Sequence, residues 1–293
     1  MGELLGSGAM RGGWPSLTAM AVAFGRGLGT GGHAPDPHAG SLLPAPLGAA
    51  LRALGRPGAR AAVRAMSFGM VDHVCLRTAA IDAALHGAIA SGCDQLVILG
   101  AGLDARAWRM PALHATDVYE VDHPSTQTGK RDATAALLRH ARSVCFVAVD
   151  FERERTGVRL AAEGHDVARP TAWIWEGVTP YLHPTAIAQT LDDVAARSAG
   201  GSVLMMTYAI PEIVPLPIPA IGALTRLAFR GLGEGLFGAM APADAAAMLE
   251  RRGLVPTGDT DARAWAEHAP GSAALALPFR GERLLVATLP GER

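Results

Sequence analysis

The sequence predicts an α/β protein built on a doubly wound, mostly parallel sheet closed by an antiparallel hairpin. Three observations carry this expectation. From position 95 onward, short apolar runs alternate with longer stretches of helical periodicity, the pattern of parallel strands joined by crossover helices. A glycine turn, Gly100-Ala101-Gly102, follows the first run directly. Acidic residues then stand at the ends of the next runs, at Asp122, Asp150 and Glu176.

In chain order, the first forty residues are rich in glycine and proline, and only 16–28 reads as a short helix, with Leu17, Met20, Ala21 and Phe24 on one face. This region, 1–78, is expected to form an arm or lid. A stronger helix spans 79–91, where Ile81, Ala84, Leu85, Ala88 and Ile89 share a face and Gly92 stops the run. Strands are expected at 95–100, 117–122, 144–150, 172–178 and 202–209. Before the last of these, Pro184 opens a helix that buries Ile187, Leu191, Val194 and Ala195 and ends at Gly200-Gly201. The core is thus expected over 79–209. The segment 210–241 reads as an inserted cap, and 242–293 returns to the core with a helix at 242–252, a strand from Leu254 and a strand at 284–289. The last two strands are expected to pair as a hairpin.

Composition narrows the function. A chain of 293 residues that is 49% hydrophobic buries a large core and suits one α/β domain with an insertion. A formal charge of -1 offers no positive field for phosphate backbones, so nucleic acid is not expected as a partner. The most apolar stretch, 203–231, contains Pro211, Pro215, Pro217 and Pro219, which would break a membrane helix, so no stable membrane insertion is expected. Cys75, Cys93 and Cys145 are read as reduced thiols. No secretory signal is visible at the start, and a cytoplasmic location with a mature chain beginning near Met1 is the expectation.

The turn Gly100-Ala101-Gly102-Leu103-Asp104-Ala105 satisfies G-x-G-x-x-G/A, with glycines where a backbone must bend tightly and approach a ligand. On its own it serves a nucleotide or a plain strand-to-helix turn alike. Asp122 lies about twenty residues on, where a carboxylate accepts hydrogen bonds from two ribose hydroxyls. Asp150 and Phe151 offer a carboxylate and a ring face suited to an adenine. Glu176, in Trp175-Glu176-Gly177-Val178-Thr179-Pro180-Tyr181-Leu182, points to the same crevice if the strands are parallel.

With the loop, the Glu120-Val121-Asp122 strand end, Val149-Asp150-Phe151, and Glu176-Gly177-Val178 with Tyr181-Leu182, the chain resembles the leucine carboxyl methyltransferase family. Upstream, Asp36-Pro37-His38-Ala39 and Arg77-Thr78 with Asp82 are similar to the family's DPxA and RTxxxD segments. The resemblance covers 16–208 and implies a Rossmann-like, seven-stranded methyltransferase sheet with a helical cap. It implies S-adenosylmethionine as cofactor, with S-adenosylhomocysteine as product. By the same resemblance Arg77 pairs with the methionine carboxylate, and Gly100, Ala101, Gly102 and Asp104 belong to the cofactor loop. Asp122 holds ribose, Asp150 and Phe151 contact adenine, and Glu176 lies near the amino group. A guanidinium suits a carboxylate, and carboxylates suit hydroxyls and an ammonium group.

The acceptor is expected to be a small hydrophobic molecule, because an apolar cap suits one better than a charged peptide tail. Methyl transfer from a sulfonium is an in-line displacement that requires positioning and no metal. A carboxylate acceptor is already ionised and needs orientation, for which an arginine or Tyr181 is the candidate; a hydroxyl needs a base, for which His183 is the candidate. Two other classes compete: an NAD(P)-dependent oxidoreductase using the same loop, and a non-catalytic protein that binds S-adenosylmethionine. Against a short-chain dehydrogenase, Tyr119, Tyr181 and Tyr208 are followed four residues on by His123, Thr185 and Glu212 and never by lysine. The sequence leaves a homodimer open.

Overall fold

The structure is a computed structural model that describes residues 17–29, 35–54, 57–211, 238–267, 269 and 279–291. Seven strands, β1 (Gln95–Leu99), β2 (Asp117–Asp122), β3 (Ser143–Ala148), β4 (Thr171–Trp175), β5 (Val203–Ala209), β6 (Val255–Asp261) and β7 (Glu282–Thr288), form one sheet in the order β3-β2-β1-β4-β5-β7-β6. The first five are mutually parallel where they pair, and β7 runs antiparallel between β5 and β6. The doubly wound sheet and its closing hairpin are as expected. The hairpin does more than close an edge, because β7 inserts beside β5 and carries Glu282 to the end of the sheet next to Ala209.

Strand alternation divides the core into two layers. Leu96 and Ile98 face a layer with Leu76, Ile81, Leu85 and Trp108, while Val97 and Leu99 face a layer with Ile187, Leu191, Leu204 and Tyr208. Each such apolar side chain, fully buried, contributes about 1.5–3 kcal/mol. The expected faces of the two covering helices are therefore observed, but one helix is longer than its periodicity suggested. It runs from Met70 to Ala90: Val74, seven residues before Ile81, continues the face of Ile81, Leu85 and Ala88, and Leu76 is buried as well. This helix crosses the 78/79 boundary and places Arg77 on a rigid element.

The helix Leu17–Leu28 matches the expected amphipathic segment and packs on the Met70–Ala90 helix through a third cluster of Met20, Ala23, Val71 and Cys75. Leu103 of the glycine loop joins that cluster, and Arg26 Nη2 donates to the Leu103 carbonyl at 2.6 Å. The N-terminal helix is thus pinned directly to the loop. Of the expected cap, residues 212–237 lie outside the described residues, as does 1–16 of the arm. Among the described residues no helix is long and apolar enough to cross a membrane. The three cysteines form no disulfide, and burial pushes the Cys75 and Cys93 thiols up to about 12 and about 11.

Candidate cofactor site

Register levels the strand ends. Leu99 pairs with Val121 on one side and Trp175 on the other, so Gly100, Asp122 and Glu176 emerge at one edge. Between β1 and β4 the strand order reverses, which is where open α/β sheets bind ligands.

The loop bends as its glycines require. Gly100 has φ +69° and Gly102 has φ +47°, and the Gly100 and Ala101 amides both donate to the Val121 carbonyl. A Cβ on Gly100 would lie 2.3 Å from Val178 Cγ2, so only glycine lets the β1 and β4 loops close on each other. Asp122 Oδ2 accepts from the Gly102 amide at 2.5 Å, and Oδ1 accepts from the His123 amide at 2.6 Å. Desolvation raises the Asp122 carboxyl against those bonds. Each oxygen keeps lone-pair capacity for a further donor, and the residue is half-buried, as a ribose-binding carboxylate requires.

Asp104 is placed behind the loop. Its Oδ1 accepts from the Arg106 amide at 2.7 Å, and Oδ2 pairs with the Arg106 guanidinium and lies 4.0 Å from Arg26. Burial would raise this carboxyl, but Arg106 and then Arg26 hold it well below the usual carboxylate range. Arg106 also binds Asp82 through Nε at 2.7 Å and Glu176 through Nη1 at 3.0 Å. Glu176 Oε1 accepts from Arg77 Nε at 3.1 Å, and Arg77 Nη1 reaches both oxygens of Glu282 at 2.8 Å. His73 Nε2 lies 2.6 Å from Glu282 Oε2. Arg109 ties Asp82 at 2.7 Å to Asp36 at 3.7 Å. The Asp36 and Arg77-to-Asp82 segments, separated in sequence, therefore meet the glycine loop and Glu176 in one chain of ion pairs.

On the neighbouring edge, Asp150 and Phe151 follow β3. Asp150 Oδ1 accepts from the Glu152 amide at 3.0 Å, and Phe151 packs partly buried on the layer that contains Val97 and Leu99. Tyr181 ends a short 3-10 turn, Thr179–Tyr181, and is half-buried. His183 is exposed, with Nδ1 2.9 Å from Thr185 Oγ1 and its amide donating to Glu152 at 3.3 Å. The Asp150 and His183 loops are thereby joined through Glu152, while the Arg77, Asp104 and Glu176 side chains form a separate ionic group. Beneath the β2 end, Lys130 Nζ pairs with the fully buried Glu120 at 2.7 Å, and burial pushes the Glu120 carboxyl up to about 7.

Sequence reasoning missed Arg106, Glu282 and Arg26. Arg106 had a local signal, the acid Asp104 two positions before it in the glycine loop, since a buried carboxylate needs a cation. Glu282 had none, because it stands 205 positions from Arg77 on the last strand. No cluster of three or more metal-ligating side chains is found among the described residues.

Two solved structures share the fold. A DUF574 family protein from Streptomyces avermitilis superposes with a TM-score of 0.63 at 14% identity, covering 94% of this chain and 98% of its own. A protein from Thermobifida fusca described as a "putative methyltransferase" gives 0.61 at 18% identity, covering 95% and 96%. At those identities the likeness establishes the fold, so the protein is of the Rossmann-like, seven-stranded α/β class. Among curated sequences, a Frankia alni protein described as a "putative S-adenosyl-L-methionine-dependent methyltransferase" is 35% identical over 205 residues, 68% of this chain and 62% of its own length. A Streptomyces coelicolor protein of the same description is 39% identical over 158 residues, 52% and 54%. The matched stretch thus spans between half and two thirds of these relatives. The family model for leucine carboxyl methyltransferase matches residues 19–195, and the chain belongs to that family.

Proposed function

We propose that the protein is an S-adenosylmethionine-dependent O-methyltransferase acting on a carboxylate or hydroxyl of a small hydrophobic acceptor. The observation that carries the reading is the Asp122 carboxylate, half-buried at the end of β2 and held by the Gly102 amide, at the same sheet edge as the Arg77–Glu176 pair. The residues fit an adenosine bearing a zwitterionic tail. Left-handed glycines let the backbone approach it, Asp122 accepts from vicinal hydroxyls, and Asp150 with Phe151 offers an acceptor and a ring face. Arg77 is the partner for the tail carboxylate and Glu176 the counter-charge for its ammonium. Asp104 acts from behind, through Arg106, to hold the loop.

When bound, the sulfonium cofactor supplies an electrophilic methyl carbon for in-line displacement. The chain contributes binding, orientation and exclusion of water. Tyr181 is the candidate to orient an acceptor oxygen, and His183 is the candidate to take a proton from a hydroxyl acceptor. A carboxylate needs no such step. The segment 210–241 is proposed to wall the acceptor pocket, on its apolar composition, and 1–78 to cover the cofactor loop, in keeping with the Arg26–Leu103 bond.

The test is calorimetric titration with S-adenosylmethionine, S-adenosylhomocysteine and NAD, followed by a methyl-donor assay against hydrophobic carboxylic acids and phenols. Binding of both sulfur ligands and methylation of at least one acceptor class are expected. Tight NAD binding without a response to either sulfur ligand overturns the reading.

A further inference from the structure

We propose that Glu282 is an internal occupant of the carboxylate seat on Arg77, and that the cofactor's own carboxylate binds by displacing it. This rests on the S-adenosylmethionine reading and deepens it. A guanidinium has five N–H donors in a planar fork. Arg77 spends Nε on Glu176 and directs Nη1 to both oxygens of Glu282, while Nη2 lies 3.1 Å from Glu176. Both edges of the fork are therefore covered by carboxylates of this chain.

A third carboxylate cannot join them without like-charge repulsion in a poorly hydrated site, since the Arg77 side chain is only 7% exposed. One of the two residents must leave. Glu176 is the harder to move, because Arg106 holds its other oxygen at 3.0 Å. Glu282 is the more exposed, at 17% against 9%, and stands at the first position of β7. It also has somewhere to go. His73 remains 2.6 Å from its Oε2, and the imidazole is fixed by stacking on Phe279 at 5.0 Å and packing against Trp265 at 5.8 Å. Burial alone would raise the Glu282 carboxyl, but Arg77 and His73 bring it down to about 2, so it competes as an anion at neutral pH.

The experiment titrates wild type and Glu282→Gln with S-adenosylhomocysteine and with 5′-methylthioadenosine, which retains the nucleoside and thioether but lacks the amino-acid tail. Glu282→Gln is expected to bind S-adenosylhomocysteine at least fivefold more tightly than wild type and methylthioadenosine within twofold of it. Equal or weaker S-adenosylhomocysteine binding by the variant, or the same change for both ligands, overturns the displacement. Failure of wild type to bind either ligand overturns instead the cofactor reading on which it rests. Thermal melting verifies that the variant folds. Should it not, Glu282→Asp, which withdraws the carboxylate by one methylene, is expected to shift the ratio of the two affinities at least twofold in the same direction, and an unchanged ratio overturns the proposal.

Discussion

Arg106 Nη1 lies 3.0 Å from Glu176 Oε2, joining the short helix after the glycine loop to the residue that follows β4. The Arg106 side chain has no exposed surface, and its guanidinium also meets Asp82 and Asp104. Three carboxylates thus depend on one buried cation, and removing it leaves them without their shared counter-charge.

Arg106→Met is therefore expected to destabilise the fold by about 3–5 kcal/mol, the cost of breaking a buried pair by deleting one partner. Arg106→Lys is expected to recover only part of this, because an ammonium lacks the planar fork that meets several carboxylates at once. Denaturant midpoints of the two variants measure the effect. A loss under 1 kcal/mol in Arg106→Met would show that solvent replaces the guanidinium.

Asp122 both closes the loop and offers its remaining lone pairs. Asp122→Ala is expected to weaken S-adenosylhomocysteine binding by about 1.5–3 kcal/mol, the range for losing charged hydrogen bonds. Calorimetry gives the number directly. Unchanged affinity removes Asp122 from the site.

His183 distinguishes the acceptor classes. Its ring is exposed and bonded to Thr185, so His183→Ala is not expected to disturb folding. With a carboxylate acceptor, turnover is expected to stay within about threefold; with a phenol it is expected to fall about 10²-fold, the usual contribution of a general base. A small effect with both acceptors assigns the proton transfer to another group.

His165 makes stability depend on pH. It is 4% exposed, its Nε2 is 3.1 Å from Thr171 Oγ1, and burial, followed by Arg197, pushes its pKa down to about 4. The unfolded chain protonates histidine near 6.5, so the contribution is present above that pH and lost as pH falls towards 4. The full amplitude is about 3 kcal/mol. Urea midpoints at pH 7, 5.5 and 4.5 should fall less steeply in His165→Gln than in wild type; parallel curves would assign the acid sensitivity elsewhere.

Much of this was legible in one dimension. Alternation of apolar runs and helical periods located β1 to β5, because strand and helix periods differ and each run must bury its own face. The Gly100 and Gly102 positions, and Asp122 twenty residues on, were legible because backbone geometry at a strand-to-helix turn is a local property. Apolar periodicity reveals only the later turns of the helix Met70–Ala90, because its first two turns carry polar residues, Asp72, His73 and Arg77, which are buried by pairing and not by apolarity.

The sequence by itself determined the class of sheet, the loop and the order of acids along the strand ends, all of which follow from local periodicity and turn chemistry. Only the tertiary structure decided how those acids are used. Asp122 turns to the Gly102 amide, Asp104 turns away to Arg106, and Arg77 is shared between Glu176 and Glu282. Ion pairing acts across space between strand ends levelled by sheet register, and the antiparallel return of β7 brings Glu282 to Arg77 over a separation that no sequence window spans.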